Sequence, residues 1–132
     1  MGLSTITDPG RYGLSLVLGG GEITLLELTN AYGVFANNGV YSKPQGILEV
    51  RDNDDTILEK FSPQQREVLP EYVTSLISSV LSDNIARTPS YGSNSALYFG
   101  DRPVAVKTGT TNDYRDVWVI GYTPSLVVGM WG

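Results

Sequence analysis

Val104-Ala-Val-Lys-Thr-Gly-Thr-Thr-Asn-Asp-Tyr-Arg-Asp-Val-Trp-Val-Ile-Gly-Tyr-Thr-Pro124 reads as an apolar strand, a short polar loop and a second apolar strand. Val, Ile, Trp, Tyr and Thr dominate both runs, the residue types that suit a pleated, half-buried surface. The loop from Thr111 to Arg115 is short enough to close an antiparallel hairpin. Thr123-Pro124-Ser125 then turns the chain into a third run, Leu126 to Trp131, in which nearly every residue is apolar or Gly. Such a run is expected of a strand covered on both faces. The stretch therefore predicts an antiparallel meander of three strands, 104–110, 116–122 and 126–131.

Working outward, Thr24-Leu-Leu-Glu27 has the form of a capping box, in which the Thr24 hydroxyl accepts from a first-turn N–H and Glu27 reaches back. Leu28, Ala31, Tyr32 and Phe35 follow at helical spacing, and Asn37-Asn38-Gly39 tolerates the left-handed conformation that ends helices. A helix over 24–36 is expected. Gly19-Gly20-Gly21 before it lacks the Lys-Ser/Thr of a phosphate loop and reads as a tight entry turn. Leu48 and Val50, the acidic turn Asp52–Asp55 and Thr56–Phe61 suggest a hairpin over 46–61. The acidic turn lacks the Gly and terminal Glu of a calcium loop and reads as a solvated tip. Pro70 fits the first turn of a second helix over 70–83. Tyr72/Val73, Leu76/Ile77 and Val80/Leu81 give that helix a broad apolar stripe, expected to be well buried. From Arg87 to Pro103 the chain is rich in Ser, Gly, Asn and Pro and reads as a long irregular connection.

Composition sets the chemistry. The 132 residues are 41% apolar, enough for a core, and contain no His and no Cys. Without His there is no Ser-His-Asp triad, and without either residue the usual zinc sites and all thiol chemistry disappear. Any reaction here runs on Ser, Thr, Lys, Tyr or carboxylates. A net charge of −5, with the basic residues scattered singly, argues against a nucleic-acid surface. No stretch approaches the ~18 consecutive apolar residues of a membrane span. The last eight residues read as a buried strand that simply stops, so part of a larger domain is expected.

Lys107-Thr108-Gly109 is the one segment with a mechanism attached, since Lys-Thr-Gly accompanies Ser-x-x-Lys and Ser-x-Asn in serine acyl enzymes. In its context, residues 104–124 closely resemble the C-terminal part of penicillin-binding protein transpeptidase domains. The similarity is strongest to class A, bifunctional peptidoglycan synthases. Leu18–Asn37 resembles the helix preceding a hairpin in those enzymes, and Leu81-Ser-Asp-Asn-Ile-Ala-Arg87 a segment between that hairpin and the Lys-Thr-Gly strand. The three segments, in family order, cover most of the chain.

The resemblance implies an α/β (α+β) β-lactamase/transpeptidase-like fold, present here as an incomplete domain, and acyl transfer without a cofactor. A serine attacks the penultimate D-alanyl carbonyl of a peptidoglycan stem peptide, D-alanine leaves, and an amine of a second stem resolves the acyl-enzyme. β-Lactams are trapped at the acyl stage. Lys107 would support the proton network and attract the substrate carboxylate. Thr108 and Thr110 would offer hydroxyls to that carboxylate, and the Thr110 N–H would join the oxyanion hole. Gly109 would let an extended peptide approach the strand edge closely. The parent implied is extracytoplasmic and anchored to the cytoplasmic membrane, with a glycosyltransferase domain.

No serine in the chain has a lysine three residues on, so the nucleophile is missing and the isolated chain is expected to be inactive. Ser82-Asp-Asn84 spells Ser-x-Asn but falls after the 24–36 helix instead of well before it, and reads as a helix stop. Asp116 and Trp118 match family positions, with a core or strand-pairing role expected. The alternatives are a serine β-lactamase or D-alanyl-D-alanine carboxypeptidase of the same fold, or a non-catalytic wall-binding module. The substrate geometry adds a last expectation. An extended peptide needs a free strand edge, so 104–110 should be the outer strand, with Lys107 exposed and Ser82 beyond hydrogen-bond reach.

Overall fold

A computed structural model describes the backbone of residues 1–132 and every side chain except those of Pro9 and Leu18. A short helix, α1 (Pro9–Tyr12), runs into a 3₁₀ segment, Gly13–Leu18, which the left-handed Gly19 closes. The first long helix, α2, spans Leu25–Ala36. Thr24 Oγ1 accepts from the Glu27 N–H at 3.2 Å, but the reciprocal half of the capping box is not made. Glu27 instead accepts from the Ser4 N–H at 3.2 Å, from the Ser4 hydroxyl and from the Thr5 hydroxyl at 3.1 Å, tying the N-terminal segment to the helix. These donors hold its carboxyl below the ordinary glutamate range, the Ser4 hydroxyl most strongly.

Four short strands follow: β1 (Val40–Ser42), β2 (Glu49–Arg51), β3 (Ile57–Lys60) and β4 (Gln65–Glu67). β2 and β3 form the hairpin, its tip built on Asp52, whose Oδ1 accepts from the N–H groups of Asp54 and Thr56 at 2.9 Å each. The flanking segments pair as well, β1 with β4, beyond the expected hairpin. That pairing needs Gly39: its φ is +93°, and a Cβ there would run into the Leu69 carbonyl.

The second long helix, α3, spans Glu71–Ser82, and Pro70 is its N-cap in extended conformation, not its first helical residue. The expected stripe divides lengthwise, and its Val73, Ile77 and Leu81 half is partly buried. Thr74 is buried, whereas Tyr72, Leu76 and Val80 are 68%, 64% and 73% exposed. Every fourth residue keeps one face, and here that face is turned away from the sheet. A further helix, α4 (Asn84–Tyr91), occupies the start of the segment expected to be irregular. Asp83 Oδ1 accepts from the Ala86 N–H at 2.9 Å, so the stop of α3 is also the N-cap of α4.

The C-terminal sheet is β5 (Ala105–Thr110), β6 (Val117–Thr123) and β7 (Leu126–Trp131), antiparallel in the order β5-β6-β7. Cross-strand partners share a face. One face carries Ala105, Lys107 and Gly109 of β5, Trp118, Ile120 and Tyr122 of β6, and Val127, Gly129 and Trp131 of β7. Helices α2 and α3 cover it, burying Val34, Ile120 and Tyr122 and stacking Tyr32, Phe35 and Tyr122 with ring centroids 5.5–6.3 Å apart. Complete burial of a side chain such as Ile120 contributes about 1.5–3 kcal/mol.

The other face of β7 is bare. Leu126, Val128 and Met130 are 56%, 53% and 64% exposed, so β7 is covered on one face and not on both. The accessible surface of the whole chain, 9632 Å², compares with about 6800 Å² for a compact monomer of its mass.

Candidate active site

The chemistry-bearing residues lie on β5, the outer strand of the sheet. Two hydrogen bonds set which backbone groups face outward. The Thr111 N–H donates to the Asp116 carbonyl at 3.0 Å, and the Val117 N–H donates to the Gly132 carbonyl at 2.8 Å. Backbone groups alternate along an antiparallel ladder, so Ala105, Lys107 and Gly109 turn theirs toward β6. Val106, Thr108 and Thr110 turn theirs to the open edge, where none has a backbone partner among the described residues. The open edge thus presents the Thr108 carbonyl and the Thr110 N–H.

Lys107 pairs across the ladder with Ile120, is exposed, and folds its Nζ onto the Thr108 carbonyl. Among the described residues no carboxylate lies within ion-pair distance of it, which leaves a cation free at the strand edge. Gly109 pairs with Trp118, and a Cβ on it would meet Trp118 Cβ at 3.4 Å, an ordinary contact. Packing within the chain therefore tolerates a methyl group there. Thr108 and Thr110 point to the opposite face from Lys107. The Thr108 hydroxyl is 2.8 Å from the hydroxyl of Tyr91, the last residue of α4, whereas Thr110 is exposed.

The β5–β6 loop is held by Asp116. Its Oδ2 accepts from the Thr111 hydroxyl at 3.0 Å, its Oδ1 accepts from Trp131 Nε1 at 2.9 Å, and its N–H donates to Thr111 Oγ1 at 2.9 Å. Trp118 and Trp131 pack with centroids 6.1 Å apart. Both residues are engaged in holding the hairpin together. At the tip Asp113 and Tyr114 adopt left-handed φ values of 60° and 54°, uncommon for a tyrosine. Ser82 does not join the site: its hydroxyl donates to the Ser79 carbonyl at 3.3 Å, with no bond to Lys107. Tyr91 is the residue that sequence reasoning missed. The signal was there in Asp83, a good N-cap residue followed by helix-compatible Asn84–Thr88, but the Ser, Gly and Pro content downstream obscured it.

An antiparallel sheet with helices on one face and Lys-Thr-Gly on its open outer strand defines a class with known members. The family profile described as "Penicillin binding protein transpeptidase domain" matches residues 12–129. Penicillin-binding protein 1A of Aquifex aeolicus is 40% identical over 121 residues, covering 89% of this chain and 16% of the relative. Penicillin-binding protein 1A of Clostridium acetobutylicum is 35% identical over 101 residues, covering 76% of this chain and 12% of the relative. The structure of penicillin-binding protein PonA1 from Mycobacterium tuberculosis superimposes with a TM-score of 0.73 at 26% identity, covering 89% of this chain and 31% of that one. Penicillin-binding protein 1A from Haemophilus influenzae shares the fold, with a TM-score of 0.72 at 23% identity, covering 94% of this chain and 24% of that one. The chain belongs to the penicillin-binding protein transpeptidase family. It spans about a sixth or less of the length of these two curated relatives, and among the described residues no helix is long and apolar enough to cross a membrane.

Proposed function

We propose that this chain supplies one wall of the acyl-transfer site of a serine D,D-transpeptidase that cross-links peptidoglycan stem peptides and is trapped by β-lactams. The observation that carries this reading is the outer edge of β5, where the Thr108 carbonyl lies beside a Thr110 N–H and a Lys107 that have, among the described residues, no backbone partner and no carboxylate partner respectively. An extended stem peptide adds to that edge as a strand. Lys107 attracts its terminal carboxylate and supports proton transfer around the nucleophile, Thr108 and Thr110 offer hydroxyls, and the Thr110 N–H stabilises the oxyanion. Gly109 keeps the approach clear of a side chain.

The serine and its partner lysine come from outside residues 1–132, because no Ser-x-x-Lys exists within them. The parent is an extracytoplasmic enzyme anchored to the cytoplasmic membrane, with a glycosyltransferase activity alongside. Intact-mass measurement after incubation with a fluorescent penicillin tests the first point: the isolated chain takes up no adduct, and a stoichiometric serine adduct would overturn it. In a polypeptide that also carries the nucleophile, Lys107→Ala lowers the acylation rate constant by at least ~100-fold, the usual loss for one positioned electrostatic or proton-transfer group. An unchanged rate constant would remove Lys107 from the site.

A further inference from the structure

We infer that Tyr91 is a positioning residue for the Lys-Thr-Gly strand: its hydroxyl orients the Thr108 hydroxyl so that the pair keeps one O–H free to donate to a carboxylate bound beside Lys107. The inference rests on the reading of β5 as a substrate strand.

The argument begins with how firmly Tyr91 is placed. Arg87, one turn earlier in α4, donates through Nη2 to the Leu81 carbonyl at 2.6 Å and through Nε to the Asp83 carbonyl at 3.3 Å. Its Nη1 reaches the Leu97 carbonyl at 3.5 Å. A cation at the C-terminal end of α3 suits the helix dipole, and here it pins α3, α4 and the following loop together. Asn84 Nδ2 donates to the Ser93 carbonyl at 2.9 Å, closing the far end of α4. Gly92, with φ +82°, ends the helix and donates its N–H to the Thr88 carbonyl at 2.8 Å. Tyr91 is thus delivered to β5 from a braced helix end.

Proton counting supplies the rest. Each hydroxyl carries one proton and can accept two hydrogen bonds. The 2.8 Å contact between Tyr91 and Thr108 uses one of the two protons, whichever residue donates. The other proton is left without an acceptor in that pair. When Tyr91 donates, that proton is Thr108's and lies on the strand whose neighbouring residue, Lys107, is a cation with no carboxylate partner among the described residues, so an anion with acceptor oxygens at the strand edge is the chemistry that matches both. Without the Tyr91 hydroxyl, Thr108 keeps its proton but loses the bond that orients it.

The test is an amide chemical-shift titration of the chain with N-acetyl-D-alanyl-D-alanine, comparing wild type, Tyr91→Phe, Thr108→Val and the double variant. Tyr91→Phe keeps the ring and should weaken binding about 3- to 10-fold, the range for one net hydrogen bond. In the Thr108→Val background the same change should alter binding by less than ~1.5-fold, because the group it acts through is gone. Unchanged affinity in Tyr91→Phe overturns the inference, and so does an equal loss in both backgrounds, which a purely structural role would give. Failure of the underlying reading shows separately: wild type then leaves the Ala105–Thr110 amides unshifted, or Thr108→Val binds as tightly as wild type.

Discussion

The Tyr122 hydroxyl lies 3.0 Å from Ser78 Oγ, so the middle strand of the sheet is hydrogen-bonded to the second long helix across the core. Burial raises the Tyr122 pKa, with the Ser78 bond acting in the opposite direction. Burial and the neighbouring Tyr122 raise that of Tyr32. A phenol whose folded pKa is raised stabilises the fold fully below its unfolded value, 10.0, and loses that contribution as pH rises through the folded value. Urea midpoints should therefore fall above about pH 10, and Tyr122→Phe should flatten the fall. An equally steep alkaline decline in Tyr122→Phe and Tyr32→Phe would assign it to other groups.

Gly129 of β7 sits directly beneath α2. A Cβ there would overlap Thr29 Oγ1 and come within 3.0 Å of Ile120 Cδ1 and 3.1 Å of Leu25 Cδ1. Gly129→Ala should cost about 1–3 kcal/mol of stability as an overpacked core position. Adding Thr29→Ala removes the overlapped atom and should recover part of the loss. Chemical denaturation of the two variants checks this, and a neutral Gly129→Ala would contradict the close packing of α2 on β7.

At the α3–α4 junction the capping side chain is Asp83, not Ser82. Asp83→Ala should destabilise by about 1 kcal/mol, the usual value of an N-cap. Ser82→Ala should stay within about 0.5 kcal/mol, because its hydroxyl only returns to the Ser79 carbonyl in its own helix. Faster amide exchange at Ala86 in the first variant, and not in the second, would locate the effect. In a polypeptide carrying the nucleophile, Ser82→Ala should change acylation by less than ~3-fold, since a residue of this kind touches stability and not chemistry.

The bare part of the sheet face opposite α2 and α3, toward β7, carries Val117, Leu126, Val128 and Met130, and β7 has an outer edge with no cationic residue on it. Such an edge invites further pairing. The isolated chain should self-associate as its concentration rises. Met130→Lys should reduce the effect by placing a charge on that face. Light scattering after size exclusion measures it, and a wild-type chain that stays monomeric at about 0.5 mM would contradict the expectation, as specific weak association is visible there.

The sequence by itself determined the local elements and the strand that matters. Apolar runs broken by a five-residue polar loop specify the β5–β6 hairpin, and Thr-Pro-Ser specifies its continuation into β7. Thr24 and the Leu28–Phe35 spacing specify α2, because capping and periodicity are local properties of the chain. Lys107, Thr108, Gly109 and Thr110 were legible as a group because they are contiguous. What only the tertiary structure decided is which faces are covered and which distant groups meet. Within the apolar stripe of α3, the exposed Tyr72, Leu76 and Val80 satisfy helical periodicity as well as the half-buried Val73, Ile77 and Leu81 do, and an apolar β7 reads alike with one face covered or two. Periodicity tells which residues share a face and not what lies against it. Glu27 turning to Ser4 and Thr5, Pro70 as cap instead of first turn, and Tyr91 reaching Thr108 are likewise choices between locally equivalent partners. They are settled by where α3, α4 and the N-terminal segment pack.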